Sequence, residues 1–151
     1  MTAILEDILT TVKTQIEDLD LTDIPDESVY IQKVPSTRNF DSTHFPAVLI
    51  APLGQPKLNP LKGTNVRDQV EYPIGIFILD NDNQNQTSDR DKYFTWYETI
   101  LKKFRTPRLA GVDSIVNSYV SPGAVVDPNW FETGEYLAGM TLWFISWEAR
   151  L

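Results

Sequence analysis

The sequence predicts an α+β domain with an antiparallel or mixed β-sheet and two main helices packed mainly on one face. Two segments carry apolar residues at the spacing of an amphipathic helix, and a third alternates with the period of a strand. The predicted order is helix, two strands, a long loop, strand, helix and two strands, which leaves few parallel crossovers. The 151 residues are the length of one ordinary domain. We therefore expect a single domain over residues 1–151.

The N-terminal segment is predicted to form an amphipathic helix. Its apolar residues recur at steps of one, three and four: Ile4, Leu5, Ile8, Leu9, Val12, Ile16 and Leu19. Thr2 is expected to cap this helix, and Pro25 lies beyond its end. Residues 29–34 follow as a short strand that is rich in Val, Tyr and Ile. Residues 47–51 are apolar on both faces and are predicted to lie in the sheet interior.

A long connection and a long strand come next. Residues 52–66 hold several prolines and glycines, and a structureless connection of this length is usually functional or ordered by a partner. Residues 66–79 alternate with period two. One face of that strand carries Val70, Tyr72, Ile74, Ile76 and Ile78. Pro73 removes one hydrogen bond from its ladder, which favours an edge position or a bulge.

The second predicted helix covers residues 89–104 and follows the polar connection 80–87. Its apolar positions are Tyr93, Phe94, Trp96, Tyr97, Ile100, Leu101 and Phe104. Four large rings in five residues cannot all face one core, so we expect Trp96 or Tyr93 to contact another subunit.

Two strands complete the predicted fold. Residues 115–120 form the first, and residues 136–149 form the second. Because the last strand is apolar on both faces, we expect most of it to be covered on both sides. Trp143 and Trp147 are accordingly predicted to be core residues.

Charge and composition narrow the classes of function. Thirteen basic and twenty-one acidic side chains give a formal net charge of −8, which opposes binding to a phosphate backbone. The chain has no cysteine and one histidine, which excludes thiolate metal sites and cysteine nucleophiles. We expect no enzymatic activity and no cofactor. Without a basic N-terminal region or a long apolar run, we also expect no export signal and no membrane span.

Three local patterns could carry chemistry, and each has a simpler interpretation. Residues 80–91 place oxygen side chains at alternate positions like a calcium loop, but Asn85 replaces the glycine that such loops need. A solvated connection is the better interpretation. His44 lacks the context of a catalytic base and is expected to be a surface or capping residue. The basic cluster is Lys102, Lys103, Arg105 and Arg108, and a helix end that complements the dipole explains its first three members.

The layout of nearly the whole chain resembles a known family. The shared features are the N-terminal helix from residue 1, the strand through residues 45–50, the alternating strand through residues 74–78, the helix over residues 89–104 and the closing strand through residues 139–144. In element order and apolar spacing the chain is similar to the tail terminator proteins of tailed bacteriophages, also called tail completion or head–tail joining proteins. The resemblance involves no fixed chemical motif and transfers no catalytic residues.

That resemblance implies a structural virion protein. Such an α+β subunit usually forms a hexameric ring that caps the finished tail tube and offers a surface to the neck proteins below the capsid. DNA would pass through the lumen without specific binding, and the protein would be located in the virion after assembly in the host cytoplasm. One alternative is another neck component, such as a stopper or head-completion protein. A small ligand-binding domain or enzyme is an alternative from a different class.

The predicted interface follows from the two polar connections that flank the long strand. A neighbouring subunit would supply the contacts that these connections lack. Leu58 and Leu61 are expected to pack on an adjacent subunit or on the tail tube, while Lys57 and Lys62 meet acids. The candidate interface residues are Lys57, Leu58, Leu61, Lys62, Asp80, Asp82 and Trp96.

Overall fold

The described residues fold as a mixed six-stranded sheet with two α-helices. The computed structural model describes residues 3–33, 45–59, 67–81, 90–105, 109, 111–125 and 135–149. The elements are α1 (Ile4–Glu17), β1 (Val29–Ile31), β2 (Ala47–Pro52), β3 (Lys57–Asn59), β4 (Arg67–Asn81), α2 (Arg90–Lys103), β5 (Ile115–Pro122) and β6 (Glu135–Ala149). The strand order is β1-β2-β4-β6-β5, and β3 pairs with β4. Because β1 runs parallel to β2 and the other pairs are antiparallel, the predicted α+β class with a mixed sheet is confirmed.

Both helices pack on one face of the sheet. α1 contributes Ile8, Val12 and Ile16 to the core, and α2 contributes Trp96 and Ile100. The sheet contributes Val48, Ile50, Ile74, Ile76, Ile78, Met140, Leu142 and Phe144. The period-two alternation of β4 predicted this face, because consecutive strand residues point to opposite sides of the sheet. Each helix has 14 residues, and neither of these described helices is long and apolar enough to cross a bilayer.

The start of α1 differs from the prediction by one residue. The N-cap position is Ala3 and makes no side-chain capping bond, so the assignment of Thr2 as the cap was wrong. Glu6 and Asp7 lie in the first turn, where carboxylates interact favourably with the positive end of the helix dipole. This interaction compensates in part for the missing cap.

The predicted loop over residues 52–66 contains a short strand. β3 pairs with β4 through three residues, in a register that places Leu58 opposite Val70. The prediction of a connection without secondary structure was therefore wrong for this part, while residues 60–66 lie outside the described residues. Three residues are too few to show a period, so only the pairing with β4 defines this strand.

Pro73 lies in a central strand, contrary to the predicted edge or bulge. The backbone N–H of Leu53 donates to the Pro73 carbonyl at 2.9 Å. In an antiparallel pair the nitrogen and carbonyl of one residue face the same neighbour, so the Pro73 nitrogen also faces Leu53. Along β4, the residues that pair with β2 end at Ile74, and the residues that pair with β3 begin at Glu71. The donor that proline lacks therefore falls in the gap between β2 and β3.

β4 and β6 extend beyond the helical layer. They pair from Arg67 with Ala149 to Asn81 with Glu135, so each strand spans about 50 Å at roughly 3.3 Å per residue. A compact chain of this length has a diameter of about 40 Å. At this end the core cluster reaches Ile115, which is paired with Ser146, and Val70 packs against it. The outer part of the two strands, together with β3, is what we call the ribbon end: β3, residues 67–69 of β4 and residues 147–149 of β6.

Candidate assembly surfaces

The sheet face opposite the helices carries a set of partly exposed aromatic and apolar side chains. We call this set the aromatic face: Phe77, Tyr119, Trp143, Ile145 and Trp147. Tyr119 is 43% exposed, and the other four are half-buried. Tyr119 lies directly opposite Trp143 in the β5–β6 register, and their rings stack with centroids 6.0 Å apart and an interplanar angle of 12°. The aromatic face thus begins with a preformed pair of rings.

The aromatic face corrects one prediction from the sequence. Trp143 and Trp147 are half-buried and do not belong to the core cluster, so their assignment to the core was wrong. β6 is apolar on both faces, but the helices pack on the side of Met140, Leu142 and Phe144. Two apolar faces look alike in a sequence, and only the positions of the helices distinguish them.

Beside β2 the same sheet face is closed. Leu49, Ala51 and Leu79 are buried there and lie outside the main core cluster. The ring of Phe77 lies over Gly75, where a Cβ atom would come within 2.7 Å of Phe77 Cε2. The missing side chain of Gly75 therefore leaves room for the ring of Phe77. The open part of the face is the part on β5 and β6.

Tyr119 stays protonated at the surface of the aromatic face. Burial raises the pKa of its hydroxyl above the ordinary value, and the negative charge of Glu71 raises that pKa further. The hydroxyl is thus a neutral hydrogen-bonding group at the pH of a cell. A neutral polar group at the end of an apolar ring suits a protein contact, because it can donate a hydrogen bond without the cost of burying a charge.

The ribbon end carries two of the predicted interface residues. Leu58 is 57% exposed, and Lys57 beside it is exposed as well. A large exposed aliphatic side chain in a paired strand has no polar atom to desolvate, and it gains hydrophobic free energy when a partner buries it. Leu61, Lys62 and Asp82 lie outside the described residues.

The other two predicted interface residues are placed differently. Asp80 belongs to β4 and pairs with Tyr136 of β6, so it lies in a strand and not in the predicted polar connection. Trp96 is 3% exposed, and its Nε1 donates to the Thr22 carbonyl at 2.8 Å. Its assignment as a subunit contact was wrong, because both its apolar surface and its polar atom are satisfied within the chain. The exposed ring of this helix is Phe94, at 45%.

A groove runs along the outer side of α2, and sequence reasoning did not find it. Its volume is about 700 Å³, and we call it the α2 groove: Phe94, Tyr97, Glu98, Leu101, Lys102, Arg105 and Val125. The Tyr97 hydroxyl donates to the Gly123 carbonyl at 3.0 Å, and the Tyr93 hydroxyl donates to the Val125 carbonyl at 2.7 Å. These bonds hold the segment after β5 against the helix. The groove was missed because Val125 is distant in sequence from the helix.

The basic cluster begins in the last turn of α2, as the sequence predicted, and two of its members also line the α2 groove. Lys102 and Lys103 lie in the last turn of α2, where cations complement the helix dipole. Lys102 also lines the α2 groove together with Arg105, whereas Arg108 lies outside the described residues. Two cations therefore border an apolar recess.

The connection between α1 and β1 is acidic. Over residues 18–27 it carries five exposed acids and no basic residue: Asp18, Asp20, Asp23, Asp26 and Glu27. We call these residues the acidic connection. Lys92 of α2 donates to Asp23 across 2.6 Å, and the Trp96 bond to Thr22 lies beside this ion pair. The acidic connection is thus held against the N-terminal half of α2.

The calcium-loop pattern is not assembled in the described residues. Asp80 is part of β4, while Asp91 lies in the first turn of α2 with its side chain 96% exposed. Within the described ranges no group of three His, Cys, Asp or Glu side chains could hold a metal ion. His44 lies outside those ranges.

No protein-family model matches this sequence, and no curated protein is significantly similar to it.

Proposed function

We propose that this protein is a structural subunit of a tailed bacteriophage that forms a ring, caps the tail tube and joins it to the neck. The observation that carries the proposal is the open aromatic face, with its stacked Tyr119 and Trp143 beside half-buried Trp147. A group of partly exposed large apolar side chains on one face of a folded domain indicates a site of protein contact. Tyrosine and tryptophan are also the residues that contribute most binding energy at such sites.

Two further features support this proposal. The α+β fold is the class that the family resemblance implies, with a mixed sheet covered by helices on one face. The ribbon end extends beyond the helical layer and carries Leu58 at 57% exposure. A subunit of a ring on a tube needs separate surfaces for its neighbours and for the tube, and these two surfaces are distinct.

The proposal is tested by deleting the gene from the phage genome that carries it. Without a cap on the tube, we expect tails of irregular length and heads that are not joined to tails, as seen by electron microscopy. Tails of normal length with unjoined heads would instead favour the alternative of a stopper or head-completion protein. Normal infectious particles in the deletion strain would refute both assignments.

The substitution Leu58→Asp tests whether the ribbon end takes part in assembly. Because Leu58 is largely exposed, we expect the variant to keep the melting temperature of the wild-type protein but to lose incorporation into particles. Thr10→Asp is the control for the added charge, since Thr10 is exposed on α1 and belongs to none of the surfaces named above. Incorporation is measured by mass spectrometry of purified particles. Normal stoichiometry of the Leu58→Asp protein would remove the ribbon end from the proposed interface.

A small ligand-binding domain is the second candidate, and the α2 groove favours it. A recess of about 700 Å³ with apolar walls and a few charged groups is within the size range of ligand pockets. An NMR titration with a fragment library would test this second candidate, because a bound fragment would change the chemical shifts of the groove residues. The aromatic face lies on the other side of the sheet and has no part in such a function.

A further inference from the structure

The α2 groove combines an apolar wall with a small excess of positive charge. Phe94 and Val125 expose 45% and 36% of their surfaces, and Tyr97 and Leu101 lie between them. The charged residues of the groove are Glu98, Lys102 and Arg105, so this recess has a net charge of +1 in a chain of −8. An occupant that fits must therefore bring both apolar atoms and carboxylates.

The acidic connection carries both the carboxylates and the apolar side chains that such an occupant needs. It alternates acids with apolar residues, so that exposed Pro25 and half-buried Leu19 and Leu21 lie among the five exposed carboxylates. Those carboxylates have one described cationic partner, the Lys92 that binds Asp23. A second copy of the chain thus offers a segment that is complementary in charge and polarity to the groove.

The two surfaces lie on opposite sides of α2. Lys92 contacts the acidic connection, and Leu101 lines the groove. Nine residues separate them, and at about 100° per residue they point in nearly opposite directions from the helix axis. One chain therefore cannot place its own acidic connection in its own groove. A second copy in the same orientation brings the two surfaces together.

We propose that copies of this chain associate head-to-tail, with the acidic connection of one copy in the α2 groove of the next. The contact is heterologous, so it generates a ring or an open filament, in contrast to a two-fold dimer. Closure of the ring rests on the proposed function, whereas the contact itself does not. Since each copy carries a net charge of −8, the cations of the groove also relieve the repulsion between neighbours.

Charge reversal on each surface separately tests the contact. Lys102→Glu with Arg105→Glu changes the groove, and Asp26→Lys with Glu27→Lys changes the acidic connection. The positions are exposed, so we expect both variants to fold and to self-associate at least about tenfold more weakly than the wild-type chain in sedimentation velocity. The matched control compares Lys102→Glu with Lys103→Glu. Both are exposed lysines of the same helical turn, but Lys103 does not line the groove.

Mixing the two double variants distinguishes head-to-tail association from other modes. Each double variant alone brings charges of the same sign to the contact, so it should not self-associate. In the mixture the two intact surfaces pair and the two reversed surfaces pair, so the mixture should form larger species like those of the wild-type chain. A single chain with all four substitutions should regain self-association, because both charges of the pair are reversed.

Several results would overturn this inference. A wild-type chain that stays monomeric at its highest soluble concentration would do so, as would unchanged association of the groove variant, in which case the groove has another occupant. Mixtures that remain monomeric would refute the pairing of these two surfaces. Head-to-tail association in solution together with absence from phage particles would refute the proposed function alone. If the protein is present in particles but its copies do not make this contact, the proposed function stands and the inference is refuted.

Discussion

Tyr72 and Glu148 form a hydrogen bond between distant parts of the sequence near the ribbon end. The buried Tyr72 hydroxyl donates to the Glu148 carboxylate, with both oxygens at 2.9 Å. A hydrogen bond to a charged group contributes about 1.5–3 kcal/mol, and the partial exposure of Glu148 reduces this contribution. We expect Tyr72→Phe to lower the free energy of unfolding by about 1–2 kcal/mol in urea titrations at pH 7. Glu148→Gln, which keeps an acceptor, should cost less.

The contribution of Tyr72 to stability depends on pH with a definite sign. Burial raises the pKa of its hydroxyl far above 10, and the hydrogen bond and charge of Glu148 raise that pKa further. The folded state therefore keeps the proton when the unfolded chain loses it, so the stabilisation is complete below about pH 10 and is lost above it. We expect the stability difference between wild type and Tyr72→Phe to shrink as the pH rises from about 9 to 11. A difference that stays constant over this range would contradict the assignment.

Ser146 is a buried polar residue whose hydroxyl has no partner in the described structure. Its side chain is fully buried and lies on the helix-covered face of β6. An unsatisfied buried hydroxyl costs about 1–3 kcal/mol, so Ser146→Ala should raise the free energy of unfolding by about 1 kcal/mol. Ser118→Ala is the control, because Ser118 is a buried serine that does have partners. A Ser146→Ala protein less stable than wild type would show that its hydroxyl is satisfied after all.

At the scale of the element, β6 separates two environments within one strand. Phe144 is 1% exposed and faces the helices, whereas the adjacent Trp143 is half-buried on the aromatic face. Phe144→Ala should cost about 3–5 kcal/mol, because it leaves a cavity in the core. Trp143→Ala should cost about 1–2 kcal/mol, since solvent fills the space at a partly exposed site. Denaturant unfolding of both variants shows which one loses more free energy of unfolding. A larger loss for Trp143→Ala would place the main core on the other face.

Element type was largely predictable from the sequence, but element environment was not. The alternation of β4 predicted its buried face, because Ile74, Ile76 and Ile78 repeat with the period of the pleat. The spacing of α2 predicted a helix but assigned Trp96 to a partner, since large rings occur on two sides of it. β3 and the position of Pro73 depend on pairing between strands, which no local pattern records. For the same reason the α2 groove and the Tyr72 bond to Glu148 could not be predicted.

At the scale of the whole molecule, the order of strands joins the two ends of the chain. β4 from the middle of the sequence lies between β2 and β6, and α1 shares one core cluster with residues of β6. A cut at any described connection would therefore separate residues of the same core. This arrangement supports the expectation of one domain, because independent domains need separate cores.

This arrangement predicts a single cooperative unfolding transition. Trp96 lies in the core on the helix side, while Trp143 and Trp147 lie on the opposite face, so tryptophan fluorescence reports on both sides of the sheet. If one core holds both layers, the fluorescence transition and the far-ultraviolet circular dichroism transition should coincide in urea. The double variant Trp96→Phe with Trp130→Phe leaves only the two tryptophans of the aromatic face as probes and should keep the two curves coincident. Separate midpoints in that variant would mean that the aromatic side of the sheet unfolds independently of the helices, and the one-domain interpretation would then be wrong.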